Sequence, residues 1–142
     1  VDMTKDTNTS SHAINFESEN GSFKITSSGG NFNYSTSTGL GNCLLAGGGN
    51  RNIIVTAGNN VESVTVTIRF AVSSNSDMTS SGTATITKPD GSTETVTSTT
   101  QSGTSVKVSE IEVTLTAGQQ LTISSERRLA LIGASAEAVF KE

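Results

Sequence analysis

The chain has 142 residues, which is enough for one domain with a hydrophobic core and too few for two domains of ordinary size. Charged residues make up 15% and hydrophobic residues 32% of the sequence, whereas Ser and Thr contribute 22 residues each. The net charge of −4 comes without a basic cluster larger than Arg127-Arg128, which argues against a nucleic-acid partner. No apolar run approaches the roughly 20 residues that span a bilayer, so we expect a soluble domain without a membrane partner.

The first 12 residues show no apolar periodicity, and we interpret them as a flexible leader or linker. The chain begins with Val rather than Met, which is consistent with a piece of a longer chain in which the folded module is tethered to other domains. Strands rich in Thr and Val with Gly and Asn turns are typical of extracellular β-domains. We therefore expect this domain outside the cell or at the cell surface.

Alternating apolar residues follow in chain order. "AINFES" and "SFKITSS" each place two apolar side chains on one face with "ENG" between them, which predicts an opening hairpin. Residues 29–52 are rich in Gly and Asn, and we predict long loops there around two short apolar strands, "NFNYS" and "CLLA". The clearest strand is "VESVTVTIRFAVSS", in which every second residue from 64 to 72 is apolar and Arg69 lies on the opposite, solvated face.

A run of Ser, Asn and Asp comes directly after this strand. We predict that residues 73–81 form a long exposed loop at one end of the fold, and loops held by a rigid scaffold often bind ligands. The next hairpin has "PDG" as its turn, because Pro89 fixes φ and Gly91 accepts a positive φ. Thr dominates one face of this hairpin over residues 83–97, and so few apolar residues predict a position at a sheet edge.

The last segments complete an all-β pattern. "SEIEVTLTAGQQLTISS" predicts two strands around an Ala-Gly turn, and in "RRLALIGASAEAVF" the parity of the apolar residues changes at Gly133, which indicates a bulge there. No segment of ten or more residues keeps a helical period. About nine or ten short strands with regular turns predict one antiparallel, jelly-roll-like β-sandwich over residues 13–142, which we expect to be a monomer.

The residues that catalysis needs are scarce. His12 is the single histidine, so no Ser-His-Asp or Cys-His set is available. Cys43 has apolar neighbours and is expected to be a small buried hydrophobe. Glu110 and Glu112 share the outward face of one strand, which is more typical of a solvated face than of a glycosidase pair. We expect a protein that is not an enzyme and has no cofactor.

A structural calcium ion is an alternative to the absence of cofactors. Glu17 lies near the first strand and Glu137 in the last one, and the terminal strands of a sandwich often pair, so these carboxylates would supply oxygen ligands to one ion. Surface carboxylates without a metal are the simpler interpretation, because the sequence contains no compact Asp/Asn ligand loop.

The segment "NRNIIVTAGNNVESVTVTIRFAVSSNSDMTSSGTATIT", followed by a turn, "LTAGQQLTI" and a last hydrophobic strand, resembles the β-sandwich modules appended to bacterial pectate lyases and related polysaccharide-degrading enzymes. In that family the Ser-rich loop carries Ser-Asp-Arg, whereas this chain has Met78 after Ser76-Asp77. The resemblance extends over residues 13–140. It implies a non-catalytic module that keeps a secreted bacterial enzyme or surface scaffold near a polysaccharide of the plant cell wall or of microbes.

The low aromatic content bears on how such a module would recognise sugars. The chain has no Trp and a single Tyr, so the usual stacking platform for sugar rings is missing. Hydrogen bonds from Asn, Ser and Thr, or ion pairs with an acidic sugar, are then required, which favours a uronic-acid polymer such as pectin. The candidate carbohydrate-binding residues are Tyr34, Arg51, Arg69, Asp77, Arg127 and Arg128.

Two further functions stay open at the level of sequence. The first is a structural or adhesive domain of a bacterial surface protein that binds no glycan. The second is a flat ice- or crystal-binding face made of the Thr residues of the 83–97 hairpin, which Thr repeats on several strands would favour.

Overall fold

The computed structural model describes residues 8–28, 32–36, 39–40, 42–46, 51–125 and 128–142. All the regular elements in these ranges are β-strands, and none of the described segments is a helix with the length and hydropathy of a membrane span. The strands are β1 (Asn15–Glu17), β2 (Phe23–Ser28), β3 (Phe32–Ser35), β4 (Cys43–Ala46), β5 (Arg51–Ala57), β6 (Val61–Ser73), β7 (Gly82–Thr87), β8 (Thr93–Ser98), β9 (Ser109–Thr116), β10 (Gln120–Ser125) and β11 (Arg128–Phe140).

The strands form two antiparallel sheets, which confirms the expected sandwich. The six-stranded sheet has the order β1-β2-β5-β10-β7-β8, and the five-stranded sheet has the order β3-β4-β11-β6-β9. The described residues contain eleven strands rather than nine or ten, and the two short apolar strands predicted within residues 29–52 are β3 and β4, which pair with each other. Residues before the expected start of the module also take part, since His12 exchanges backbone hydrogen bonds with Phe32.

The main hydrophobic core lies between the two sheets. In β6 the predicted alternation is observed, with Val66, Ile68 and Phe70 fully buried and Arg69 exposed. Ile53 and Ile123 reach the same core from neighbouring strands of the six-stranded sheet. The period of two therefore places one face of each central strand in the core and leaves the other face to neighbouring loops or solvent.

A second, smaller hydrophobic cluster lies on the outer face of the five-stranded sheet. Its strand residues alternate with residues of the main core, so they point to the opposite face. Two loops, residues 74–81 and 99–108, cover these strand residues. The buried members of this second cluster are Cys43, Leu45, Ala71, Met78, Val106 and Ala130. The expected burial of Cys43 is confirmed, whereas the expectation that residues 73–81 form an exposed loop is wrong at Ser73, which ends β6, and at Met78, since both are 0% exposed.

β11 is the central strand of the five-stranded sheet and lies between β4 and β6. It pairs with β6 over almost its whole length, but with β4 only at Ala130 and Leu131. The register with β6 shifts between Leu131 and Gly133, which confirms the predicted bulge at Gly133.

The Thr-rich hairpin β7–β8 lies at one edge of the six-stranded sheet, as predicted. Gly91 takes φ of 86° in its turn, and the Gly91 N–H donates to the carbonyl of Lys88. The carboxylate of Asp90 accepts hydrogen bonds from the Ser92 hydroxyl at 2.6 Å and the Ser92 N–H at 2.9 Å. These bonds favour the ionised form and lower the pKa of Asp90.

We expect NMR titration to place the pKa of Asp90 below its ordinary value of 3.8. Because the folded-state pKa is the lower one, the stabilisation is complete above the ordinary value and is lost as the pH falls through the folded-state pKa. Ser92→Ala removes the hydroxyl donor and should raise the pKa of Asp90 towards its ordinary value. An unchanged titration of Asp90 in Ser92→Ala contradicts the assignment of the shift to this hydrogen bond.

Candidate functional site

One end of the sandwich collects strand ends from both sheets. β6 ends there at Ser73 and β7 begins at Gly82, so residues 74–81, which we call the rim loop, cross from the five-stranded to the six-stranded sheet. β10 ends at the same place, and its last residue, Ser125, pairs with Arg51 at the start of β5. Long-range strand pairing thus brings segments from distant parts of the sequence together.

A cleft of about 620 Å³ opens between these strand ends. Its volume is in the range of sites that hold a small ligand or a few sugar residues. We call it the hydroxyl cleft, and it is lined by Asn52, Val72, Ser73, Ser74, Ser81, Gly82, Thr83, Thr85, Ser124 and Ser125. Seven of these ten residues carry a hydroxyl group, one carries an amide, and none is charged.

The chemistry of the hydroxyl cleft is that of neutral hydrogen bonding. Ser and Thr hydroxyls donate and accept, and the Asn52 side chain offers both an acceptor and two donors. None of the described lining residues is a His, Asp, Glu, Cys or Lys, so these ten residues offer no general acid, general base or activated nucleophile. The arrangement is suited to binding an uncharged hydroxylated molecule.

Asn75 holds the rim loop in one conformation. Its Oδ1 accepts from the Thr79 N–H at 3.0 Å, and its Nδ2 donates to the Thr79 hydroxyl at 2.8 Å and to the Ser80 hydroxyl at 3.0 Å. The Ser73 hydroxyl donates to the Ser80 carbonyl at 2.7 Å, which closes the base of the loop. A loop with this many internal hydrogen bonds is organised before any ligand arrives.

Gly82 lets the chain cross directly over Ser73 at the wall of the hydroxyl cleft. A Cβ atom at position 82 would lie 2.7 Å from the Ser73 nitrogen and 2.8 Å from the Ser73 Cα. Ser73 and Ser81 also form an isolated antiparallel bridge at this crossing. The close backbone approach therefore requires glycine.

Met78 anchors the rim loop from below. It is fully buried in the second cluster, and its φ of 61° is left-handed, which is rare for a residue with a side chain. Its carbonyl accepts a hydrogen bond from the Val106 N–H at 2.8 Å, which ties the rim loop to residues 99–108. In the sequence Met78 is visible only as a departure from the Ser-Asp-Arg pattern, and nothing local indicates that it is buried.

Three of the sequence-predicted binding residues lie at this end of the sandwich. Arg51 is half-buried next to Asn52, and Asp77 is exposed in the rim loop. Arg128 begins β11, and its Nη1 donates to the Ala46 carbonyl at 3.1 Å. Arg127 lies outside the described residues.

Two other predicted residues lie away from the hydroxyl cleft. Arg69 is exposed on the outer face of the five-stranded sheet, where Glu110 of β9 is its partner in register. Tyr34 is half-buried in β3 and packs against the main core. Among the described residues, Arg69 and Tyr34 therefore do not join Arg51, Asp77 and Arg128 in one surface.

The strand order separates the two carboxylates of the predicted calcium site. β1 pairs with β2 in the six-stranded sheet, whereas β11 lies in the five-stranded sheet, so the expected pairing of the first and last strands is wrong. Glu17 and Glu137 are consequently on different sheets. In the described part of the chain, His, Cys, Asp and Glu side chains form no group of three or more that could hold a metal ion. Calcium binding itself stays a prediction.

Asn52 and Ser124 are cleft residues that sequence reasoning missed. They lie on the outward face of β5 and β10 and are directly paired across these strands. Their alternation with buried residues predicts outward positions but does not indicate which strand lies beside which. Residues 73–81, by contrast, are predicted from the sequence as a loop of the kind that often binds ligands, and three of the ten lining residues come from it.

Sequence comparison finds no relatives, since no family model and no curated protein matches the chain. Among solved structures, the CBM22-1 xylan-binding domain of Xyn10C from Paenibacillus barcinonensis has a TM-score of 0.52 and 13% identity, over 94% of this chain and 95% of that domain. This chain shares the β-sandwich fold of that xylan-binding domain. At this low identity the likeness concerns the fold and not the ligand.

Two further similar structures are an exo-β-1,3-galactanase from Phanerochaete chrysosporium and a CBM35 module from Cellvibrio japonicus Abf62. The galactanase has a TM-score of 0.46 and 16% identity over 88% of this chain, which spans only 29% of the galactanase chain. The CBM35 module has a TM-score of 0.35 and 18% identity over 94% of this chain and 91% of that module. The link to pectate lyases stays a prediction.

Proposed function

We propose that this chain is a non-catalytic module that binds a neutral polysaccharide in the hydroxyl cleft. The observation that carries the proposal is the described lining of the cleft, in which six hydroxyl-bearing residues and one amide accompany the buried Ser73 and no side chain is charged. A neutral sugar presents hydroxyl groups that donate and accept, so Ser, Thr and Asn side chains match it without ion pairs. The module belongs, in this proposal, to a larger secreted or cell-surface bacterial protein.

The form of the site supports this assignment. The rim loop is preorganised by Asn75 and Met78, so little conformational entropy is lost when a chain binds. The described lining residues include no aromatic side chain on which a sugar ring could stack. Affinity for a polysaccharide then depends mainly on hydrogen bonds. We therefore expect weak binding of one polymer chain rather than tight binding of a small sugar.

An acidic glycan such as pectin is the second candidate, because Arg51 and Arg128 lie at the same end of the sandwich. Arg128 already donates to the Ala46 carbonyl, and Arg69 lies on another face, so ion pairs contribute less than the sequence indicates. The two candidates differ in their salt dependence. Added salt should weaken binding of pectin but leave binding of a neutral chain unchanged.

Thr85→Arg tests the hydroxyl cleft directly. We expect the wild-type chain to be retarded in affinity gels that contain neutral polymers such as xylan, β-glucan or galactan. Thr85 is exposed on β7, so a long side chain there should fill the cleft without disturbing the core. Loss of one or two hydrogen bonds of about 1 kcal/mol each, together with steric exclusion, should weaken binding at least about tenfold.

Thr116→Arg is the matched control, since Thr116 is an exposed strand residue of the other sheet. It should leave the retardation unchanged. Equal loss of binding in both variants would show that the hydroxyl cleft is not the site. A wild-type chain that is retarded by no neutral or acidic polysaccharide would instead support a structural or adhesive domain.

A further inference from the structure

Three neighbouring strands of the six-stranded sheet, β10, β7 and β8, share an outward face that is rich in hydroxyl groups. Residues of the opposite parity, such as Ile123 and Ile86, are buried in the main core. Glu94 is the one charged residue of these strands, and it pairs in register with Ile86, so it does not belong to the outward face. The outward residues with hydroxyl groups, which we call the hydroxyl face, are Thr83, Thr85, Thr87, Thr93, Thr95, Thr97, Thr122 and Ser124.

Strand pairing aligns most of these residues in two rows that cross the strands. In the first row Ser124 of β10 pairs with Thr85, and Thr85 pairs with Thr95. The second row lies two residues away on each strand and consists of Thr122, Thr87 and Thr93. Successive residues of a row are about 4.8 Å apart, and the two rows are about 6.7 Å apart. Ser124 and Thr85 also line the hydroxyl cleft, so the first row leads from the cleft to the sheet edge at β8.

The hydroxyl groups of the two rows have no partner in the described part of the chain. The Thr83 and Thr97 hydroxyls, by contrast, hydrogen-bond to each other at 3.0 Å. Each hydroxyl in the rows can therefore donate to and accept from a ligand. Five of these six residues are Thr, whose branched Cβ restricts rotation about χ1. Little side-chain entropy is then lost when a ligand binds.

The absence of charge distinguishes the hydroxyl face from the outer face of the other sheet. The strands β11, β6 and β9 expose four charged side chains on that outer face, namely Glu137, Arg69, Glu110 and Glu112. Edge strands usually carry charges, yet the outward residues of the edge strand β8 are all Thr. Removing an unpaired charge from water is costly, so an uncharged face is the one that a neutral ligand can cover at low cost.

We infer that a bound polysaccharide continues from the hydroxyl cleft along the two rows and lies across β10, β7 and β8. The inference rests on the proposed function, because the first row begins at residues of the cleft. It assigns the ligand to the class of long neutral chains bound along an internal segment, since a short sugar would occupy the cleft alone.

The twist of the sheet favours a single chain over a flat solid surface. Adjacent strands rotate by about 20–25°, so the rows turn by about 40–50° between β10 and β8. A flexible polysaccharide chain can follow this turn and keep its hydrogen bonds to all three strands. The flat surface of ice or of a crystal would contact only part of the hydroxyl face.

Thr95→Arg tests the part of the first row that lies beyond the cleft. Thr95 is exposed on the edge strand β8 and does not line the cleft. In NMR titrations of the wild-type chain, an octasaccharide of xylan, β-glucan or galactan should bind at least about tenfold more tightly than the trisaccharide, because it gains hydrogen bonds along the rows. Thr95→Arg should weaken octasaccharide binding at least about fivefold. Trisaccharide binding should stay unchanged, which also shows that the variant is folded.

Thr116→Arg is the matched control, since Thr116 is an exposed Thr on β9, the edge strand of the other sheet. It should bind both oligosaccharides as the wild-type chain does, whereas Thr85→Arg should weaken both. Weaker binding in Thr85→Arg together with unchanged octasaccharide affinity in Thr95→Arg would overturn this inference and leave the hydroxyl cleft as the site. A wild-type chain that binds no neutral oligosaccharide would overturn both proposals. Inhibition of ice recrystallisation that Thr95→Arg abolishes would assign the hydroxyl face to ice and overturn the inference as well.

Discussion

Met78→Ala is expected to lower the free energy of unfolding by about 2–5 kcal/mol and to loosen the wall of the hydroxyl cleft. Met78 is fully buried among the side chains of the second cluster, so truncation leaves a cavity beneath the rim loop. The main core between the sheets should be untouched, because Met78 belongs to the second cluster and not to the main core. We therefore expect a folded protein with a mobile rim loop.

Two measurements separate the global from the local effect. Urea unfolding gives the free energy of unfolding, and amide hydrogen exchange of the native state should show faster exchange in residues 74–81 and 99–108 than in β5 or β10. Val106→Ala, which truncates the neighbouring side chain of the same cluster, should accelerate exchange in the same two loops. Faster exchange spread evenly over both sheets would contradict a local role for Met78.

The left-handed backbone of Met78 predicts a difference in stability between two variants at this position, Met78→Gly and Met78→Ala. A left-handed conformation costs a residue with a Cβ atom about 1–2 kcal/mol, and Met78 has φ of 61°. Met78→Gly also loses the Cβ atom that Met78→Ala keeps, but it relieves this strain, which is the larger effect. We expect Met78→Gly to be about 1 kcal/mol more stable than Met78→Ala. The reverse order of the two variants would show that packing alone decides stability at this position.

Sequence predicts the fold correctly where a feature depends only on residues that are close together in the chain. The alternation in β6 shows which side chains are buried, because a period of two assigns each residue to a face. The turn at Gly91 and the bulge at Gly133 are local as well, since each depends on the conformation or parity of a few residues. The structure confirms these local features.

The second cluster could not be predicted in this way. Ala71 and Ala130 lie on the outward face of their strands, which alternation alone assigns to solvent. They are buried because residues 74–81 and 99–108 fold over them, and loop conformation has no periodic signal in sequence. The burial of Met78 depends on this tertiary contact and on a φ value that favours glycine.

In the hydroxyl cleft, the segment that follows β6 could be predicted from the sequence, whereas the residues from β5 and β10 could not. The hydroxyl-rich run after β6 is contiguous, and a polar stretch between two strands indicates an accessible loop. Asn52 and Ser124 join it only because β10 lies between β5 and β7, an order that strand patterns do not encode. The predicted arginines were selected for their charge, whereas none of the described lining residues is charged, so that hypothesis gives no indication of the hydroxyl cleft and stays a prediction.

Gly82→Ala is expected to destabilise the fold by about 1–3 kcal/mol and to weaken polysaccharide binding as well. The added Cβ would lie under 3 Å from three backbone atoms of Ser73, and backbone atoms cannot rotate away as a flexible side chain would. β6 and β7 must therefore separate where they form the wall of the hydroxyl cleft. The bridge between Ser73 and Ser81 and the hydrogen bond from the Ser74 N–H to the Ser80 carbonyl should weaken with it.

Gly58→Ala distinguishes this local distortion from simple loss of stability. A Cβ at Gly58 would lie 2.0 Å from the Gly21 carbonyl oxygen, so the steric conflict is at least as severe. Neither Gly58 nor Gly21 lines the hydroxyl cleft, and the conflict lies between the β5–β6 turn and the β1–β2 turn. Thermal unfolding should show both variants destabilised, whereas affinity gels run well below the melting temperature should show weaker binding for Gly82→Ala only. Only Gly82→Ala changes the spacing between Ser73 and residue 82. If both folded variants bind the polymer with equal affinity, that spacing does not shape the binding site.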